Sequence, residues 1–121
     1  MKKIYHLSTC STCQAIIKET GIKPTDQNGN GFIMQDIKTE KIMAAQIDEM
    51  KKMAGSYEAL FSRRALKYKA LGLKDKQLTE KDYRQLILEE YTFLKRPVVI
   101  IDEKIFIGND KKTIAALEHT I

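Results

Sequence analysis

Tryptophan is absent from this chain of 121 residues, and cysteine and proline occur only twice each. Two thiols cannot build the disulfide framework of a small secreted protein, nor a closed four-thiolate zinc centre. Further metal ligands would have to come from His6 and His119, the only histidines, so no metal is expected. Long apolar runs are missing too. The longest, Val98 to Ile101, falls far short of the ~20 residues of a membrane-spanning helix. The opening Met1-Lys2-Lys3-Ile4-Tyr5-His6 is basic but lacks the apolar core of a secretory signal. A cytoplasmic protein with reduced thiols is therefore expected.

What is present suits one domain, since compact domains commonly run to about 100–150 residues. Lys and Arg number 21 against 16 Asp and Glu, a formal charge of +5. The surplus is uneven. Between Arg63 and Lys76 stand Arg63, Arg64, Lys67, Lys69, Lys74 and Lys76 against the single acid Asp75. Such a stretch attracts phosphate-like anions or nucleic acid, but lysines of this kind are more simply read as a solvated surface. No membrane or direct nucleic-acid partner is expected.

Ile4, Tyr5 and Leu7 mark a strand over Lys3 to Leu7, running into a Ser/Thr-rich turn. Ser11 to Thr20 is helix-compatible and Gly21 supplies a stop. After the turn-rich stretch Thr25 to Gly31, residues Phe32 to Asp36 form a second strand. Met43, Ile47, Met50 and Ala54 are spaced by four, three and four, one face of a helix over Lys38 to Ala54 ended by Gly55. A further helical region is predicted from Ser56 to Leu71, broken by Gly72. Thr79-Glu80-Lys81-Asp82 has the form of a capping box opening a helix with Tyr83, Leu86 and Ile87 on one face. Pro97 ends that region. The β-branched run Val98-Val99-Ile100-Ile101 fits a strand buried on both faces, and Asp102-Glu103-Lys104 turns it into Ile105-Phe106-Ile107. Asn109 or Asp110 then caps a last helix holding Ile114 and Leu117. A βαβ unit followed by ββα is the thioredoxin-like pattern, with a helical insert of about 38–92 between the halves. The reading is one α/β domain over 1–121.

Cys10-Ser11-Thr12-Cys13 falls where the first strand meets the first helix. A thiolate there faces unpaired backbone N–H groups and the positive end of the helix dipole, both of which favour the charged form. Cys13, one turn on, comes within reach of Cys10. This CxxC, beside a βαβ pattern, points to thiol–disulfide chemistry with Cys10 as nucleophile and Cys13 as a candidate resolving thiol. Inert burial competes with that role for Cys13. It competes less for Cys10, which Ser8, Thr9, Ser11 and Thr12 surround with hydroxyls. His6, four residues before Cys10, is either an imidazolium that lowers the thiol pKa or a strand histidine turned to core or solvent.

Three blocks then fall in order: Tyr5-His6-x-x-x-Cys10-x-x-Cys13; Ser62-Arg63-Arg64-x-x-x-Tyr68 followed by Leu71-Gly72-Leu73; and Leu94-Lys95-Arg96-Pro97-Val98-Val99-Ile100. Together they resemble the arsenate reductase (ArsC) family and its Spx/MgsR-like relatives, over nearly the whole chain. The resemblance implies a thioredoxin-like fold with a helical insert. It implies that Cys10 is the nucleophile that attacks arsenate, with His6 helping to activate it. It places Arg64 and Arg96, with Ser11 and Thr12, in the oxyanion-binding set, Arg63 replacing Arg64 if the register slips by one. Guanidinium forks suit that task because they hold oxyanions bidentately. Pro97 is the counterpart of the thioredoxin-fold cis-proline. No bound cofactor is implied; glutathione with glutaredoxin, or thioredoxin, would be the external reductant, and a redox protein the partner. Two departures stand out. The third arginine of such reductases is missing from Ile105 to Asn109, where Lys104 is the nearest cation, and Leu7-Ser8 replaces an Asn-Pro pair. Cys13 matches the Spx/MgsR-like CxxC, whose pair forms a disulfide switch. The resemblance thus implies a thiol-dependent oxidoreductase or, alternatively, a redox-sensing regulator that binds RNA polymerase.

Asp26, Asn28, Asn30 and Gly31 imitate the first half of a calcium loop, but the twelfth position, which needs a bidentate Glu, is Ile37. The stretch reads as a polar turn into the second strand.

Overall fold

The computed structural model describes residues 1–121. In chain order the elements are β1 (Lys2–His6), α1 (Ser11–Thr20), β2 (Ile33–Asp36), α2 (Ala44–Ala54), α3 (Leu66–Ala70) and α4 (Glu80–Glu89), then β3 (Val98–Ile101), β4 (Lys104–Ile107) and α5 (Lys111–Thr120). Single 3₁₀ turns occupy Glu58–Leu60, Leu73–Asp75 and Tyr91–Phe93. The chain divides into two units: Met1–Glu40 with Arg96–Ile121, and Lys41–Lys95.

The first unit is built on a four-stranded sheet of order β2-β1-β3-β4. β1 is parallel to β2, which requires the crossover that α1 provides; β1–β3 and β3–β4 are antiparallel. The apolar run Val98–Ile101 is buried throughout, as expected of an inner strand covered on both faces. It turns into β4 through Asp102 and Glu103, with Asp102 at φ 54°. In α1, Cys13, Ile16 and Ile17 recur at helical spacing and face the sheet, while Ser11, Thr12, Gln14, Lys18 and Glu19 stay in water. Gly21, at φ 74°, ends the helix. One sheet face carries Ile4, Val99 and Ile101 against Ile16, Ile22, Phe32 and Leu117, with Ile17, Met34, Phe106 and Ile114 at the margin. Burial of each such side chain is worth about 1.5–3 kcal/mol. Asp110, rather than Asn109, caps α5, its carboxylate accepting the Thr113 N–H at 2.6 Å.

The second unit holds α2, α3 and α4 with the three 3₁₀ turns. The Phe61 ring stacks on Phe93 (centroids 5.0 Å apart) and meets Tyr83 at 4.9 Å and Tyr68 at 6.1 Å. The Thr79 capping box forms as expected: Asp82 accepts the Thr79 N–H at 2.9 Å and Thr79 Oγ1 accepts the Asp82 N–H at 3.3 Å. Arg84 holds Asp48 through two hydrogen bonds of 2.8 and 3.2 Å, and Tyr57 donates to the same carboxylate at 2.7 Å. Glu80 accepts the N–H groups of Tyr57 and Glu58 at 2.7 and 3.0 Å.

Three expected helices are shorter than their sequence patterns. The one opened by Thr79 stops at Glu89, with Glu90 extended (φ −139°, ψ 107°), well before Pro97. The Ser56–Leu71 region is not one helix. The chain is extended at Phe61, whose neighbours exchange helical bonds for cross-chain ones: Ser62 N–H to Phe93 C=O at 2.6 Å, and Lys95 N–H to Leu60 C=O at 2.8 Å. Only Leu66–Ala70 is helical, because burying Phe61 among aromatic rings outweighs local propensity. The helix expected from Lys38 starts at Ala44. Residues before it are taken up by a turn in which the Asp36 C=O accepts the N–H groups of Thr39 and Glu40 at 3.2 and 2.8 Å.

Candidate active site

β1 ends at His6, and the chain bends through Leu7–Thr9 before α1 begins. The Leu7 C=O shapes this bend by accepting the Cys10 N–H at 3.0 Å and the Gln14 side-chain amide at 3.3 Å. Cys10 takes the N-cap position with extended backbone (φ −93°, ψ 111°), and its C=O accepts the Gln14 N–H at 3.1 Å. A Ser, Thr or Asp here would cap the helix with a side-chain oxygen. Cysteine offers a sulfur instead, in front of backbone N–H groups that have no helical partner.

The consequence is electrostatic. Partial burial pushes the Cys10 thiol up and is the largest single influence. The N–H and thiol of Cys13, the charge of Arg96 and the Thr12 N–H together outweigh it, so Cys10 ionises below the ordinary thiol range. Cys13 goes the other way. It is fully buried, and burial lifts it to about 11, helped by the neighbouring Cys10 sulfur; the Leu7 backbone and Arg96 oppose the rise without cancelling it. At neutral pH Cys13 is a protonated thiol beside the more acidic Cys10. Both cysteines are free, with no disulfide between them.

Ser11 and Thr12, in the first turn of α1, are exposed. Arg96 is half-buried just before β3, near enough for its charge to act on both sulfurs. The Arg96–Pro97 peptide is cis, and the Pro97 C=O accepts the Gly108 N–H at 2.9 Å. His6 lies at the end of β1 with a buried Nδ1 that has no hydrogen-bond partner. It is not among the strongest influences on Cys10; its charge acts on Asp36, the residue opposite it in the β1–β2 register. No group of three or more His, Cys, Asp or Glu is arranged to hold a metal ion.

The first unit thus gathers Cys10, Ser11, Thr12, Cys13, His6, Arg96 and Pro97. The two other predicted arginines belong to the second unit. Arg63 is committed there, at 2.8 Å from Glu58 and 3.0 Å from the Tyr83 hydroxyl. The exposed Arg64 guanidinium makes no hydrogen bond or ion pair. Sequence reading passed over Asp36 and Gln14, which support the Cys10 bend from β2 and from α1. Neither carries a local signal for that task, since its partner is chosen by the fold.

The sheet order and the βαβ and ββα halves define a thioredoxin-like fold, with a cysteine at the first strand–helix junction. The chain belongs to the ArsC family, whose pattern matches residues 5–117. Solved structures agree on the fold. An arsenate reductase from Vibrio cholerae is 17% identical with a TM-score of 0.75, covering 96% of this chain and 96% of its own. An arsenate reductase (ArsC) related protein from Brucella melitensis is 22% identical with a TM-score of 0.64, covering 95% of this chain and 92% of its own. A Staphylococcus aureus protein is 23% identical with a TM-score of 0.72, covering 96% and 97%. No match was found among curated proteins. No helix is long and apolar enough to cross a membrane.

Proposed function

We propose that this chain is a thiol-dependent oxidoreductase with Cys10 as its nucleophile. The observation that carries the reading is the placement of Cys10 at the N-cap of α1, one helical turn from the buried Cys13 and near Arg96, an arrangement that favours the Cys10 thiolate and disfavours that of Cys13. Membership of the ArsC family supports a reductase-like role. The Cys10 thiolate attacks the electrophilic centre of an oxyanion or of a thiol-derived disulfide substrate. Arg96 offsets the negative charge of the incoming anion, with the N–H groups and hydroxyls of Ser11 and Thr12 as further donors. Arg64, exposed and unpaired in its own unit, is the proposed second guanidinium. For an oxyanion, two external thiols supply the two electrons. They leave as a disulfide, while the central atom is reduced and one oxygen departs as water with the two thiol protons. Glutathione with glutaredoxin, or thioredoxin, fits that demand better than Cys13, since a buried thiol with a pKa of about 11 is a poor attacking group at neutral pH. His6, with its buried Nδ1, is the proposed support for Cys10 from β1. The compartment proposed is the cytoplasm, where such reductants keep thiols reduced.

The test is turnover of arsenate with each reductant. Cys10→Ser abolishes it, whereas Arg96→Ala keeps the thiol and weakens oxyanion binding about tenfold or more. Full turnover by Cys10→Ser refutes the assignment.

The closeness of the two sulfurs favours a second reading, an Spx-like regulator in which a Cys10–Cys13 disulfide changes binding to RNA polymerase. That reading requires polymerase capture to differ between oxidised and reduced protein. Equal capture, or none, removes it.

A further inference from the structure

Asp36 closes β2 and joins its own turn to the Cys10 bend. Its Oδ1 accepts the Lys38 N–H at 3.1 Å, within its own turn, and the Ser8 N–H at 3.3 Å, from a segment 28 residues away. Its C=O anchors the same turn through Thr39 and Glu40. The placement follows from the sheet. In the parallel register Ile4 lies opposite Met34, on the face that carries the first unit's apolar core, and two residues further His6 lies opposite Asp36 on that same face. The Ile37 N–H then bonds to the His6 C=O at 2.9 Å, so β1 and β2 remain joined up to the point where the Cys10 bend departs.

Between His6 and Cys10 the chain is held at Leu7, whose side chain is buried and whose C=O accepts the Gln14 amide, but burial does not hold the two residues that follow. Ser8 and Thr9 are exposed, and the bond between Leu7 and Cys10 spans the bend without fixing it to the sheet. The Ser8–Asp36 bond makes that connection. Burial pushes the Asp36 carboxyl up, but the Ser8 hydroxyl and N–H, the Lys38 N–H and the charge of His6 outweigh it, so Asp36 is an anion over the working range. The titratable or charged groups acting on this assembly are His6 from β1, Cys13 from α1 and Arg96 from the start of β3.

We propose that Asp36 is a positioning residue for the nucleophile: by accepting the Ser8 N–H it fixes the bend that sets the Cys10 sulfur before the N–H groups of Thr12 and Cys13. The inference rests on the reading of Cys10 as the reactive thiol. It acts through an accepted hydrogen bond rather than through charge, and that makes it separable from a turn cap and from simple repulsion. Asp36→Asn keeps an acceptor oxygen; Asp36→Ala does not.

The experiment is the rate of Cys10 alkylation by iodoacetamide against pH in wild type, Asp36→Asn and Asp36→Ala, with thermal unfolding of each. The Asp36→Ala protein is expected to react about threefold to tenfold more slowly at pH 7, with its midpoint moved to higher pH, and Asp36→Asn to restore the wild-type profile within about twofold. If both variants react faster, the carboxylate acts only by repulsion. If Asp36→Ala loses thermal stability but keeps the wild-type profile, Asp36 is a turn cap alone. Either result overturns the proposal. Should Asp36→Ala not fold, amide exchange in the wild type decides. The Ser8 N–H is expected to exchange several times more slowly than that of the equally exposed Thr9, and equal rates overturn the inference. An ordinary wild-type thiol profile at Cys10 would instead defeat the reading on which it rests.

Discussion

The two units use charge differently. In Lys41–Lys95 several charges pair with one another or cap backbone, Arg63 with Glu58, Arg84 with Asp48 and Glu80 with two N–H groups, while Arg64 stays unpaired. The paired ones hold helices and turns in place. In the unit that contains the sheet, the charge of Arg96 falls on two sulfurs and that of His6 on the carboxylate supporting the cysteine bend. Paired charges on a surface contribute little to stability; a charge beside a half-buried thiol changes its chemistry. Charged residues are abundant in the second unit, while the two thiols on which Arg96 acts lie in the first.

That contrast can be broken in two ways, the first with the larger effect. The second unit should depend on Phe61, which is fully buried between Phe93, Tyr83 and Tyr68. Phe61→Ala is expected to cost about 3–5 kcal/mol in chemical denaturation. A loss below about 1 kcal/mol would mean that the aromatic cluster does not organise this unit. The smaller effect concerns Asp48. Arg84 and the Tyr57 hydroxyl hold its carboxyl at about 2, below its ordinary 3.8. A carboxyl depressed in the folded state stabilises above its unfolded value, and that contribution disappears as pH falls through the folded value. Asp48→Asn should therefore lower Tm slightly at neutral pH and converge with wild type between pH about 4 and 2. Parallel curves across that range would show that the pair contributes no pH-dependent stability.

Much of this architecture could be read from the chain because its signals are local. Gly21 and Gly55 stop helices, Thr79 and Asp82 cap one, and Val98–Ile101 carries its burial in its composition. The break at Phe61 could not be read, because it comes from Phe93, far along the chain, and not from any residue beside it. The site divides along the same line. Cys10 at a strand–helix junction is a local pattern, and so is its N-cap position. The high pKa of Cys13 depends on how completely the sheet covers it, and the support from Asp36 depends on a parallel register. Which of Arg63 and Arg64 is paired is not legible in the sequence, because the partners of Arg63, Glu58 and Tyr83, are chosen by the fold.

The central claim is that two thiols in one helical turn ionise far apart. Its most direct test is the alkylation of Cys10 and Cys13 followed separately by mass spectrometry from pH 4 to pH 11. The account predicts that Cys10 is modified first, with a midpoint below an ordinary thiol, while Cys13 stays unreactive until pH approaches about 11. Coincident midpoints, or earlier modification of Cys13, would contradict it.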